Sequence, residues 1–398
     1  VGSEMCIRDR FSGLFNLRRY AARHGDSFFY VGWLAEDAVK AFEKHARKLR
    51  KVTYEINDTD EVGKTIPPVK LKNPRIFRPF EYLVGMFGLP SGKDIDVTAF
   101  VAITYTVMFG IMFGDFGQGV VLGIAGFLMW KLKGMQIGKI LVPCGVSACV
   151  FGLVYGECFG YETWFDPLYH AVGLSGKPVD IMESITGLLL VSIGIGVVLL
   201  VFTMLINIYG CLKHKKFGEA LFSQSGLTGI VLYLSGVCFV YNFITSKTIV
   251  PNAVLGVLIG IACIILFFKE ILIGLIDHHP DWKPESITDY ILENFFELFE
   301  YILSFFSNTI SFLRIGAFVL VHAGMMTAVF AIAGLTSSTV VNLIVVVLGN
   351  IFVMCLEALF TSIQVMRLEF YELFSRCYAG EGRSFEPVRL HHVSESIQ

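Results

Sequence analysis

The stretch ILENFFELFEYILSFFSNTISFLRIGAFVLVHAGMMTAVFAIA, residues 291–333, decides the reading of this chain. It is a near-continuous apolar helix pattern with charges set inside it. Its polar residues Glu293, Glu297, Glu300, Ser304, Ser307, Ser311 and Arg314 step by 4, 3, 4, 3, 4 and 3, so all seven share one stripe of an α-helix. The other faces are Phe, Leu, Ile and Tyr, which suit lipid or neighbouring helices. An unbroken helix from Glu293 to Ala333 at ~1.5 Å per residue reaches roughly 60 Å, about twice a bilayer core, so it tilts strongly or emerges into water. The expectation is a membrane helix with a polar face and one fixed cation, Arg314.

Composition points the same way. Hydrophobic residues make up 54% of the chain and charged ones 17%, with a mean hydropathy of +0.64. That is an integral membrane protein with a small soluble part. A net charge of −2 gives no sign of nucleic-acid binding. Nine cysteines, mostly inside apolar runs and without CxxC pairing, read as small core residues and not as a disulfide or metal framework. The His pairs 278–279 and 391–392 lack a third ligand, and there is no P-loop, HExxH motif or nucleophile elbow.

The opening VGSEMCIRDR, residues 1–10, resembles sequencing-adaptor read-through and is set aside from fold reasoning. Residues 11–79 read as the C-terminal remnant of a cytoplasmic domain with a polar, Pro-containing linker from Asp58. Within it, SFFYVGWL (27–34) is expected as a strand, 35–50 as a helix and KVTYEIN (51–57) as a second strand. A β-α-β piece this small lacks a core of its own, so truncation at the N-terminus is expected. Residues 80–390 form the membrane domain and 391–398 a tail. Eight spans are expected, roughly 97–113, 116–132, 138–156, 185–212, 226–244, 250–276, 291–333 and 339–374. The fold class is therefore an all-α polytopic membrane protein of about eight transmembrane helices, two of them long and tilted, preceded by a small α/β remnant. Basic residues in the turns 131–139 and 213–216, and Arg376, Arg383 and Arg389 in the tail, share one side, which the positive-inside rule makes cytoplasmic. The acidic turn 277–290 is the one mismatch.

Several side chains stand out against this background. An intramembrane Arg314 stays protonated and costs ~2.5–3.5 kcal/mol on insertion scales, which marks it as functional unless one buried carboxylate simply pairs with it. Glu300 lies 14 residues before it and nearly in phase, and His322 lies 8 after. Their plainer readings are an interfacial carboxylate and a satisfied core histidine. In the last span Asn350, Glu357, Thr361, Gln364 and Arg367 share a face, and Arg367 could also snorkel to the interface. In FGDFGQG (113–119) Asp115 either caps the second span or lines an aqueous vestibule.

Taken together, FSNTISFLRIGAFVLVHAGM (306–325), LEALFTSIQVMRLEFYEL (356–373), the following GEGRSFEP, RPFEYLVGMFGLP (78–90) and VMFGIMFGDFGQG (107–119) resemble the stator membrane subunit of rotary V/A-type ATPases, subunit I in prokaryotes and subunit a in eukaryotes. Short loops favour the prokaryotic form. The resemblance implies an ion-translocating, non-catalytic subunit with no cofactor or nucleotide site. It implies as partners the proteolipid (c/K) ring, the peripheral-stalk E and G subunits, the central-stalk C/d subunit and the lipid bilayer. It further implies that Arg314 meets the ring carboxylate and that Arg367 backs it. Glu300 with Ser307 and Ser311 then lines a cytoplasmic half-channel, Glu357, His322 and Asp115 line the external one, and Gln364 is a further residue of the ion path. Proton or sodium would be carried, in a prokaryotic plasma membrane, with both termini cytoplasmic. The competing class is a secondary transporter holding an anion between Arg314 and Glu357. No internal repeat relates residues 97–244 to 250–374, which counts against it. A purely structural membrane anchor is third.

Overall fold

A computed structural model describes residues 21–25, 27–49, 52–57, 67–91, 95–173, 185–245, 250–276, 287–335, 338–377, 380 and 382–386. The opening ten residues, most of the acidic turn 277–290, both His pairs, Arg389 and the tail 391–398 lie outside them.

The described residues fall into two compact units. The first comprises the residues up to Leu71 together with Leu89–Gly92 and Gly380–Gln398. It holds an antiparallel hairpin, β1 (Ala21–His24) with β2 (Ser27–Tyr30), registered Ala21 to Tyr30, followed by helix α1 (Glu36–Ala46). Glu36 and Asp37 in its first turn and Lys44 and His45 in its last complement the helix dipole. The expected second strand at Lys51–Asn57 does not form. Its described residues 52–57 are irregular, and β2 pairs upstream with β1 instead. In the same unit Val69 bridges Ser384 in parallel and Leu89 bridges Gly382.

The second unit is helical: α2 (Glu81–Phe87), α3 (Thr98–Phe113), α4 (Phe116–Lys133), α5 (Gln136–Tyr155), α6 (Asp166–Val172), α7 (Ile185–Lys213), α8 (Phe217–Phe222), α9 (Leu227–Thr245), α10 (Asn252–Phe267), α11 (Lys269–Ile276), α12 (Ile287–Ser311), α13 (Leu313–Gly334), α14 (Thr339–Arg367), a π-helical segment Leu368–Phe374, and α15 (Ser375–Cys377). Five helical stretches among the described residues are long and apolar enough to cross a membrane. They rise to six if α10 and α11, bent by 65° at Phe268, count as one span. This is a multi-pass membrane protein. Helices stand in each of the eight expected intervals. Thr98–Phe113, however, is a shorter apolar helix, and Phe116–Lys133 ends in two lysines.

Where side chains are small, helices meet backbone to backbone. A Cβ on Gly145 of α5 would lie 2.7 Å from the Gly123 backbone of α4, so the pair closes to glycine-limited contact. The core runs through Phe109, Phe113, Phe312, Ile315, Leu368 and Leu373, all essentially inaccessible.

The long helix expected over 291–333 is interrupted at one residue, Phe312. There the ladder tightens to i→i−3 bonds, Phe312 N–H to Thr309 O (3.3 Å) and Ile315 N–H to Phe312 O (3.0 Å). One turn earlier the Thr309 hydroxyl donates back to Phe305 O at 2.7 Å, a pattern that bends helices. The break falls two residues before Arg314.

Candidate ion-path site

Around Arg314 the stripe opens into a groove of about 380 Å³, lined by Phe306, Ser307, Ile310, Ser311 and Arg314. Arg314 is half-buried. Among the described residues its guanidinium makes no ion pair, and Nη1 has no hydrogen-bond partner. Among the described residues no carboxylate forms an ion pair with it, so the plain reading of a structural pair finds no partner there. Arg367 is exposed at the end of α14, and Gln364 is partly buried with its amide oxygen unpartnered. Glu372, which the helical pattern did not pick out, is 4% exposed, with one carboxylate oxygen buried and unpartnered.

Further down the stripe two cations stand against one edge. Lys269, the first residue after the α10–α11 bend, pairs with Glu297 and with the Tyr301 hydroxyl, and Tyr301 also donates to Glu297. Glu297 is thus a tied group and not an open wall position, whereas Glu293 and Glu300 are exposed. Arg376, counted with the tail from its position in the sequence, is 6% exposed instead. Its Nη2 donates to Ser304 Oγ at 2.6 Å, the guanidinium lies 5.0 Å from the Phe305 ring centre, and the Asn308 amide oxygen can accept from it at 3.2 Å. The cause is the added length of chain in the π-helical turn. It swings α15 back onto α12 before the chain leaves the bundle.

The second cluster surrounds His322, 8 residues or about 12 Å along α13 from Arg314. His322 Nδ1 lies 2.6 Å from Glu357 Oε2, while Nε2 lies 3.3 Å from Glu157 Oε2 and 3.7 Å from Asp115 Oδ2. All four side chains are essentially removed from solvent. Asp115 does two jobs at once. As N-cap of α4 it accepts from Gln118 N–H at 2.8 Å, and it gathers Phe159 N–H (3.0 Å) and Gly160 N–H (2.9 Å) from the following loop. Its outer oxygen meanwhile faces His322. Gly160, at φ 77°, cannot carry a side chain here, because a Cβ would run into Met326. Gln118 extends the network, its amide donating to Asn350 Oδ1 at 3.2 Å.

The sequence stripe thus brought together Arg314, Ser307 and Ser311, and the last-span face brought Glu357 to His322. Glu157 was missed because it falls in the turn after α5, where no periodicity applies. Phe116 N–H donates to its carbonyl at 3.0 Å, a contact invisible to pattern.

Residues 14–166 match the model of the V-type ATPase 116 kDa subunit family, a span that includes Asp115 and Glu157 but ends before Arg314. Beyond that segment, most of the chain resembles archaeal proteins named A-type ATP synthase subunit I. It is 26% identical to that of Pyrococcus horikoshii over 405 aligned positions, covering 96% of this chain and 57% of the relative. It is 27% identical to the Methanocaldococcus jannaschii protein, covering 92% of this chain and 55% of the relative. The Archaeoglobus fulgidus protein is likewise 27% identical, with 91% and 58% covered. The chain spans a little over half the length of these curated relatives. The chain is thus similar over most of its length to archaeal proteins named A-type ATP synthase subunit I, and over residues 14–166 to the V-type ATPase 116 kDa subunit family.

Proposed function

We propose that this chain is the ion-translocating membrane part of the stator subunit of a rotary V/A-type ATPase. It spans the bilayer about eight times and abuts a ring of carboxylate-bearing proteolipids. The observation that carries the reading is Arg314: an unpartnered guanidinium at an open groove, with a hydroxyl stripe on one side and a sealed His–carboxylate cluster on the other. A ring carboxylate crosses lipid only when neutral, protonated or sodium-bound, because its ionised form is prohibitive there. Facing Arg314 it favours the ionised form and releases its ion. The same fixed charge blocks cations from running straight between the two half-paths.

In this reading Glu300, Ser307 and Ser311 lead from the cytoplasm to Arg314. Glu357, His322 and Asp115, joined by Glu157, form the external half, and Gln364 and Arg367 back the arginine. Each charge moved against 100 mV requires ~2.3 kcal/mol, which rotation driven by nucleotide-hydrolysing subunits on other chains supplies, or which synthesis recovers. The chain itself is non-catalytic. It would lie in a prokaryotic plasma membrane with both ends cytoplasmic, held by the E and G peripheral stalks and approached by the central-stalk C/d subunit. Arg314→Ala, in the full-length protein of an assembled complex reconstituted into vesicles, should abolish ATP-coupled ion uptake while assembly persists. Uptake near the wild-type rate would overturn the reading.

A further inference from the structure

We propose that Glu369 is a buried proton-binding site outside the ion path, and that its bound proton latches the π-helical end of α14 onto α3. The inference does not rest on the ion-path reading, which gives Glu369 no part.

Glu369 is the second residue of the π-helical segment and is 0% exposed. Its Oε1 lies 2.6 Å from Thr104 Oγ1 on α3, and its Oε2 is buried with no hydrogen-bond partner. Among the described residues no cation forms an ion pair with it. Arg367, two positions earlier, is exposed, and the Arg376 guanidinium is taken up by Ser304 of α12 and the Phe305 ring. Helix α3 carries no charged residue, and α7 none before Lys213. Tyr105, next to Thr104, and Cys377 of α15 are uncharged near neutral pH, and Glu372 is a further acid, not a counter-ion.

The Thr104 hydroxyl has one hydrogen and two takers, Glu369 Oε1 and Phe100 O, the latter one turn back at 2.9 Å. Given to Phe100 O, as back-bonding hydroxyls in helices do, it leaves the Glu369 contact to be made by a hydrogen of the carboxyl itself. Given to Glu369, it offers the carboxylate a single bond, which does not replace the hydration an anion gives up on burial. Both settings favour the neutral acid, so Glu369 keeps a proton in the folded protein.

That proton has a mechanical role. Tyr105 beside Thr104, and Leu368 and Leu373 in the π-helical segment, belong to one buried apolar cluster. Without its proton Glu369 would place a bare charge at that core. The segment would have to open toward water and carry α15 with it, drawing Arg376 off Ser304. The end of the last span is thus closed while the proton is bound and loosened at alkaline pH.

The full-length protein, purified in detergent, tests this with two variants. Glu369→Gln keeps the shape and neutrality of the acid, and Thr104→Val removes its hydroxyl partner. The unfolded chain gives up the Glu369 proton above about pH 4.3, whereas the folded one retains it. Stability that depends on the proton is therefore lost as pH rises from there, by up to about tenfold in the folding constant per pH unit. Between about pH 5 and about pH 8 the melting temperature of wild type should fall relative to that of Glu369→Gln. Near neutral pH the infrared spectrum of wild type should hold a carboxylic-acid carbonyl band that Glu369→Gln lacks and that Thr104→Val displaces. A constant difference in melting temperature across that range would overturn the proposal, as would spectra of wild type and Glu369→Gln that differ by no such band. Where Glu369→Gln yields no folded protein, Thr104→Val decides: a displaced acid band supports the latch, and an unmoved one refutes it. Arg314 enters neither readout, so the result stands apart from the fate of the ion-path reading.

Discussion

His322 and Glu357, 35 positions apart, meet at 2.6 Å between Nδ1 and Oε2, the shortest of the three carboxylate contacts that surround the histidine. Glu357 lies on the inward face of α14 and His322 on that of α13, so the contact ties two antiparallel helices where neither reaches solvent.

Glu357→Gln should therefore impair transport far more than Glu293→Gln. The first removes the partner of a buried imidazole at 2% exposure, and the second changes an exposed carboxylate. Breaking a buried charged pair costs about 3–5 kcal/mol, against about 0–1 at the surface. Vesicle uptake rates on both variants check this, and equal defects would refute the depth assigned to Glu357.

Asp115 allows its two jobs to be separated. Asp115→Ala removes the acceptor for three backbone N–H groups and should lower the melting temperature of the purified protein by an amount equivalent to about 1–3 kcal/mol. Asp115→Asn keeps an acceptor oxygen but no charge beside His322. Its amide nitrogen replaces the oxygen that accepts from Gly160 N–H, so it should lose less stability than the Ala variant while ion uptake falls. Full uptake in the Asn variant would reduce Asp115 to a helix cap.

Arg376 tests the inner edge of the stripe. Arg376→Ala leaves Ser304 without its donor and Phe305 without the stacked guanidinium, a loss of about 1.5–3 kcal/mol expected for a charge-assisted bond. Arg376→Lys should recover only part, because an ammonium lacks the planar guanidinium that lies over the Phe305 ring. Thermal unfolding of the three proteins in detergent decides it, and equal stability of Ala and Arg would contradict the contact.

Cysteine accessibility checks the stripe itself. In a background lacking native Cys, residues introduced at 300, 307 and 311 should react with an impermeant thiol reagent from the cytoplasmic side, because thiolate forms only where water reaches. Cysteine at 305 or 309 should stay protected, since these face Arg376 and Tyr233. Cysteine at 304 should label weakly behind Arg376 and strongly once Arg376→Ala is added. Reaction from the outside would invert the topology.

What was legible in the sequence is what helical periodicity carries over long runs: the stripe, its arginine and the polar face of the last span. The 3.6-residue rule hid Glu372, because the local period is not 3.6 there, and it placed Arg376 outside the bundle for the same reason. Phe312 gave no Pro or Gly signal, since the break comes from a hydroxyl bonding backward and a fully buried ring. The second strand failed on partnership. A β-branched run can suggest a strand, but only a hydrogen-bonded neighbour makes one, and residues 52–57 have none in the sheet of β1 and β2.

The glycine contact between α4 and α5 has a mechanical consequence. With no side-chain layer between Gly123 and Gly145, nothing at that crossing can be compressed or repacked, so α4 and α5 meet there at a fixed separation. Asp115 stands at one end of that hairpin and Glu157 just past the other, and Phe116 N–H clasps Glu157 O across the opening. The gap between these two acids is therefore a dimension of the hairpin, set like the jaw of a gauge and independent of whether His322 is between them. A single methyl group on Gly145, far from either carboxylate along the helices, would spread the jaw at its mouth.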